Sequence, residues 1–290
     1  MLIHGLSVLA ASLLYLFLAR SFPQTMHYEL TTWIVGTVPT YGIALFIGLP
    51  LMRLLEKKTL YKNPVRPGFF LKAFCIIIFL TYAGSMIGSL LNNLLAGTTG
   101  FSVDTTVTDL AEESAVGWVF LFAVIIAPIM EELIFRKLLI DRIIVFGDGP
   151  AILLSAVIFG LIHGNITQCV YAFLVGWVLG YVYVRTGRIT ASILLHMLMN
   201  LAGSALPLLV EQICGVRSPG YWIYLIVLCV LFLIGLVCFI LTIVRRRIQL
   251  LAGERSARRV RIFAAAASSP GILCFLLMAL FVFFLNASAS

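Results

Sequence analysis

Residues 127–146 read APIMEELIFRKLLIDRIIVF. The stretch continues an uncharged apolar run that begins near residue 117, and Glu131, Glu132 and Arg136 interrupt it. Two further polar motifs follow in equally apolar surroundings: Phe159-Gly-Leu-Ile-His163 and His196-Met-Leu-Met-Asn200. Ionisable groups inside a segment apolar enough to enter a bilayer are costly, so by default they mark a functional site. The three motifs make 127–200 the part of the chain around which the rest is organised.

Composition sets the solvent. Of 290 residues, 62% are hydrophobic and 11% charged, and mean hydropathy is +1.10. A water-soluble domain carries about a quarter charged residues. The apolar residues lie in long continuous runs, which favours helices over a transmembrane barrel with its alternation at period two. The fold class is therefore all-α, a polytopic helical membrane protein with about eight or nine transmembrane helices around an intramembrane cavity. Candidate spans are 2–19, 32–52, 70–95, 117–146, 150–164, 168–184, 189–209, 221–244 and 269–287. The long run 117–146 and the short run 150–164 depart from the usual length. Both carry motifs, and irregular helices serve function more often than anchoring.

Charge fixes topology. The net charge is +8, but the basic residues cluster in loops, so membrane lipids rather than nucleic acid are the expected partner. Arg53, Lys57, Lys58, Lys62, Arg66 and Lys72 follow the second run, and Arg245, Arg246, Arg247, Arg255, Arg258, Arg259 and Arg261 follow the eighth. Asp104, Asp109, Glu112 and Glu113 precede the fourth without a basic residue. Basic loops belong in the cytoplasm. This predicts a multi-pass protein of the cell membrane with a cytoplasmic N-terminus, and residues 245–261 as an amphipathic element on the inner leaflet.

Spacing predicts that the motifs meet. The breakers Gly147-Asp148-Gly149-Pro150 and Gly187 end two spans. Counted from them at roughly 1.5 Å per residue, Glu131, His163 and Asn200 reach a similar depth, roughly 20 Å, with His196 one turn lower. Glu132 and Arg136, at i and i+4, share a helix face and should pair, since a lone buried charge is far costlier. Glu131 lies about 100° around the helix and is left to face a cavity. Phe159 can pack on the His163 ring. A carboxylate and a histidine can hold and deprotonate a water. A second histidine and an amide can donate to an oxyanion. Together these groups suit hydrolysis of an amide or ester without a protein nucleophile. For any one residue, a hydrogen bond between helices is the plainer account. The chain has four histidines, and two in motifs at matching depth shift the balance to function.

Glu-Glu-x-x-x-Arg, Phe-x-x-x-His and His-x-x-x-Asn, in this order on separate membrane helices, resemble the CPBP family of intramembrane proteases. That family includes CAAX prenyl endopeptidases and bacteriocin-processing, self-immunity and abortive-infection proteins. The resemblance covers roughly residues 110–205 as a catalytic core. It makes 1–109 and 206–290 accessory helices of a single membrane domain. It implies an intramembrane glutamic-type endopeptidase acting on a membrane-associated peptide or protein of CAAX-like or bacteriocin/pheromone type. It implies that Glu131 and His163 activate water, that His196 and Asn200 form the oxyanion hole, and that Glu132, Arg136 and Phe159 support them. No cofactor is expected.

Three other readings compete. Zinc held by Glu131, His163 and His196 would make the chain a metalloprotease, although it has no His-Glu-x-x-His. A transporter with Glu131 in a proton relay would show internal repeats, and none is found. A silent immunity scaffold would keep its phenotype without Glu131. Cys75, Cys169, Cys214, Cys229, Cys238 and Cys274 form no Cys-x-x-Cys pair and read as small hydrophobes. Asn165-Ile166-Thr167 and Asn286-Ala287-Ser288 match glycosylation triplets. Ser155 and Ser192 read as helix-packing residues.

Overall fold

Proline and capping residues cut the apolar runs into helices. A computed structural model describes residues 2–26, 28–103, 114–254 and 268–289. The helices are α1 (Leu2–Ser21), α2 (Glu29–Arg53), α3 (Pro67–Thr99), α4 (Val116–Phe146), α5 (Asp148–Leu161), α6 (Ile166–Thr186), α7 (Ile189–Cys214), α8 (Pro219–Val244) and α9 (Pro270–Leu285). Helices α3, α8 and α9 begin with proline, whose missing N–H would be unpaired there anyway. The side chains of Asn165, Ser218 and Ser269 cap α6, α8 and α9. Helices α2, α3, α4, α6, α7 and α8 are long and apolar enough to cross a membrane, whereas α1, α5 and α9 are shorter. Each of the nine expected spans is met by a helix, but among the described residues only those six have the length and composition of a full crossing.

One boundary differs from expectation. Gly147, at φ 109°, makes the break alone, and Asp148, Gly149 and Pro150 already form the first turn of α5. Proline is tolerated there because first-turn N–H groups have no helical partner. The whole helix is thereby shifted, so His163 falls in the turn after α5 rather than inside it.

The connections sort to two ends. At one end the Lys58 N–H donates to the Asp141 carbonyl at 2.7 Å, and that of Asn63 to Thr186 at 2.8 Å. Arg188 Nε donates to the Asn63 carbonyl at 2.9 Å, and Asp148 N–H to Leu251 at 3.1 Å. Lys58 also pairs with Glu254 at 2.6 Å. The loops 54–66, 147, 187–188 and 245–254 therefore share one basic end. At the other, Trp33 Nε1 donates to Ser114 Oγ at 3.0 Å and the Ala115 N–H to Glu29 Oε2 at 2.7 Å. Strand β1 (Phe101–Val103) pairs antiparallel with β2 (Ala287–Ala289) there. The acidic residues at 104–113 and the arginines at 255–261 lie outside the described residues, as does much of the expected amphipathic element.

Small residues let the inner helices close up. A Cβ on Gly88 of α3 would come within 2.6 Å of Thr167 Cα on α6. One on Gly160 of α5 would come within 2.7 Å of the Cys169 carbonyl. Such backbone approach is how membrane helices gain van der Waals contact when lipid removes the hydrophobic drive. The two motif-bearing long helices are irregular. In α4, wide π turns at Phe120–Ile126 and Leu133–Ile140 flank an α-helical piece, Ala127–Glu132. In α7 a π turn at Leu201–Ala205 follows directly on Asn200. Wide turns of this kind concentrate at functional sites.

Candidate active site

Glu131 and Glu132 lie near the middle of the 31-residue α4, on the α-helical piece between its two π turns. Pro128 helps explain the irregularity, since it has no N–H to give. The N–H of Ala127 bonds to the Phe122 carbonyl, five residues back. In that register the Ala123 carbonyl would need the N–H that Pro128 lacks. Asn200 fills the gap: its Nδ2 donates to the Ala123 carbonyl at 2.8 Å. The asparagine thus ties α7 to α4 one helical turn past His196.

His196 is buried between the two acids. Its Nδ1 is 3.0 Å from Glu132 Oε1, and its Nε2 is 3.6 Å from Glu131 Oε2. The first is a hydrogen bond. The second is too long for one and wide enough that a bridging water is the natural question. With Nδ1 donating to Glu132, Nε2 can donate only from the doubly protonated ring.

Glu132 and Arg136 form the expected ion pair. Arg136 Nε lies 3.1 Å from Glu132 Oε2, and both side chains are fully buried. The pair is not aligned as a hydrogen bond. Arg136 also reaches the Gly176 carbonyl at 3.4 Å, and its guanidinium lies 4.7 Å from the centre of the Phe159 ring. Glu132 does more than the spacing argument assigned it, because it also holds His196.

Phe159 is the hub. Its ring meets His163 edge-on at 5.0 Å and His196 at 5.7 Å, with Phe135 at 5.2 Å. His163 Nδ1 lies 2.7 Å from the Phe159 carbonyl. A carbonyl only accepts, so Nδ1 carries the proton and Nε2 is the free nitrogen. His163 lies within electrostatic reach of both Glu131 and His196. Three chain segments thus bring Glu131, Glu132, Arg136, Phe159, His163 and His196 into one layer, with Asn200 a turn away.

Sequence reading missed three residues. Glu131 is not left alone: the Tyr41 hydroxyl of α2 donates to its Oε1 at 2.6 Å, and no motif signalled this tyrosine. The other two are the asparagines noted only as glycosylation triplets. Asn165 is buried and donates to the His163 carbonyl at 3.2 Å while capping α6. Asn286 donates to the Gly164 carbonyl at 3.0 Å. Both brace the turn that carries His163. Ser155 Oγ donates to the Phe135 carbonyl, which is helix packing, and Ser192 Oγ to that of Ile189 beside Glu132. Among the described residues no three His, Cys, Asp or Glu side chains are grouped as a metal ion requires.

Comparison with known proteins finds a likeness in the segment that holds this layer. Residues 113–202 match the model of the Rce1-like family, described as type II CAAX prenyl endopeptidase Rce1-like. The chain is 34% identical over 90 residues to "Putative membrane peptidase YdiL" of Bacillus subtilis (strain 168). Those residues are 30% of this chain and 36% of that protein, so the match spans about a third of the relative's length. No solved structure matches significantly. The resemblance to CPBP-family proteases that the three motifs carry is therefore shown over residues 113–202, the segment that holds the buried Glu–His layer.

Proposed function

We propose that the chain is an intramembrane glutamic-type endopeptidase that hydrolyses a peptide bond of a membrane-associated peptide or protein. The observation that supports it most is the placement of Glu131: mid-helix, beside His196, within electrostatic reach of His163, and only slightly exposed, at 15%. Glu131, with His163 Nε2 as acceptor, takes a proton from water as the water oxygen bonds to the peptide carbonyl carbon. The second N–H of Asn200 donates to the resulting oxyanion, and His196 does so from Nε2 of its doubly protonated ring. When the C–N bond breaks, the proton held by Glu131 passes to the leaving nitrogen. Glu132 and Arg136 hold His196 and Phe159 in place.

The mechanism requires no metal. The chain would sit in the cell membrane with its N-terminus and basic end in the cytoplasm, facing anionic lipid. The substrate class implied is CAAX-like or bacteriocin/pheromone-type.

The test is cleavage of a panel of quenched peptides, prenylated and not, by purified protein in detergent. Wild type should cleave with or without a chelator, and Glu131→Gln should lose about a hundredfold or more. Cleavage abolished by the chelator and restored by zinc would move Glu131, His163 and His196 into ligand roles. A Glu131→Gln variant as active as wild type would sink the proposal.

A further inference from the structure

We infer that Tyr41 is a positioning residue of the hydrolytic centre, so that the working site includes α2, a helix outside the segment matched to the protease family. The inference rests on the general-base reading of Glu131. Three observations carry it. First, the Tyr41 hydroxyl donates to Glu131 Oε1 at 2.6 Å, the short distance of a hydrogen bond to a charged acceptor. Second, the contact divides the carboxylate. Tyr41 occupies Oε1, while Oε2 is the oxygen turned toward His196. A carboxylate with one oxygen fixed has one oxygen left for water, and its torsion is no longer free. Third, the same face of α2 continues as Ala44 and Gly48, which line a small apolar cavity with Ile134 and Leu138 of α4. Helix α2 thus lies against the catalytic helix over several turns, and Tyr41 is held there by packing as well as by its hydroxyl.

A packed tyrosine needs an acceptor wherever it lies, so a bystander role must be separable by experiment. The substitution is Tyr41→Phe, which keeps the ring and removes one oxygen. Infrared difference spectra against Glu131→Gln isolate the Glu131 carboxylate bands in wild type and in Tyr41→Phe, and they need no substrate. The bands should move when the hydroxyl is removed. Unchanged bands overturn the inference whatever Glu131→Gln does to activity. In the peptide assay Tyr41→Phe should lower kcat on the order of tenfold, the weight of one hydrogen bond to a charged group, and leave KM unaltered. A loss confined to KM would place Tyr41 against substrate instead and overturn the positioning role. An unaltered kcat would overturn it too. Glu131→Gln cleaving at the wild-type rate would sink the general-base reading by itself, and the infrared result would still report on the hydrogen bond.

Discussion

Helices α4 and α8 are both long, apolar and able to cross a membrane, yet they are built to opposite ends. The most hydrophobic window of α8 has mean hydropathy 3.3, with 6% of it buried inside the protein. In α4 the values are 2.1 and 39%. In water the more hydrophobic helix would be the inner one. Here the lipid is the apolar solvent, so the most hydrophobic helix faces outward and the helix with charges goes to the centre. The cost of those charges is met by their arrangement: Glu132 is bonded to His196 and paired with Arg136, and Arg136 lies over Phe159.

The strongest way to break the comparison is to strand one of the inner charges. Arg136→Met leaves Glu132 buried without its cationic partner, held by His196 and Ser192. Removing one partner of a buried pair costs about 3–5 kcal/mol, whereas removing both can be nearly neutral. Thermal and denaturant unfolding in detergent should therefore place Arg136→Met far below wild type, and Glu132→Gln added to it should recover part of the loss. A single variant as stable as wild type would show that water reaches the pair and that α4 is not an inner helix in the sense used here.

A smaller effect tests the packing around the hub. Gly176 of α6 lies against Phe159, and a Cβ there would come within 2.9 Å of Phe159 Cδ1 and 3.4 Å of Ala156 Cα. Gly176→Ala must push the ring that touches both histidines. Overpacking of this kind costs about 1–3 kcal/mol. Activity should fall more than stability suggests, by about tenfold or more, because a displacement of 1 Å in a catalytic group can cost as much as a hundredfold. Unfolding and peptide cleavage measured on the same preparation check the two together. Full activity with reduced stability would remove Phe159 from the positioning of His163 and His196.

The same contrast explains what the sequence made legible. Charges in apolar runs are visible as letters, so the ion pair of Glu132 with Arg136 and the contact of Phe159 with His163 could be read from i, i+4 spacing. Contacts between distant segments could not. Tyr41 is one tyrosine in an apolar run, and nothing local marks its reach across 90 positions to Glu131. The double duty of Glu132 was hidden for the same reason, because His196 lies 64 positions away. The boundary of α5 was misplaced because Gly147-Asp148-Gly149-Pro150 contains three residues that break helices and also open them. Asn200 shows a subtler limit. Its bond to Ala123 depends on a register that Pro128 imposes, and spacing alone shows the proline but not the carbonyl it leaves open.

The smallest expected effect lies on the outer helix, and it is the control for the other two. Leu233 of α8 is 52% exposed, a surface that meets acyl chains. Truncating a buried leucine in a core costs about 2–5 kcal/mol, because the lost contacts leave a cavity. At Leu233 no cavity forms, since lipid or detergent fills the space. Leu233→Ala should change unfolding stability by no more than about 0.5 kcal/mol, as for a surface position, and leave peptide cleavage unaltered. A loss of core size would mean that α8 is covered by another protein surface in the membrane. Its hydrophobicity would then report a partner, not the bilayer.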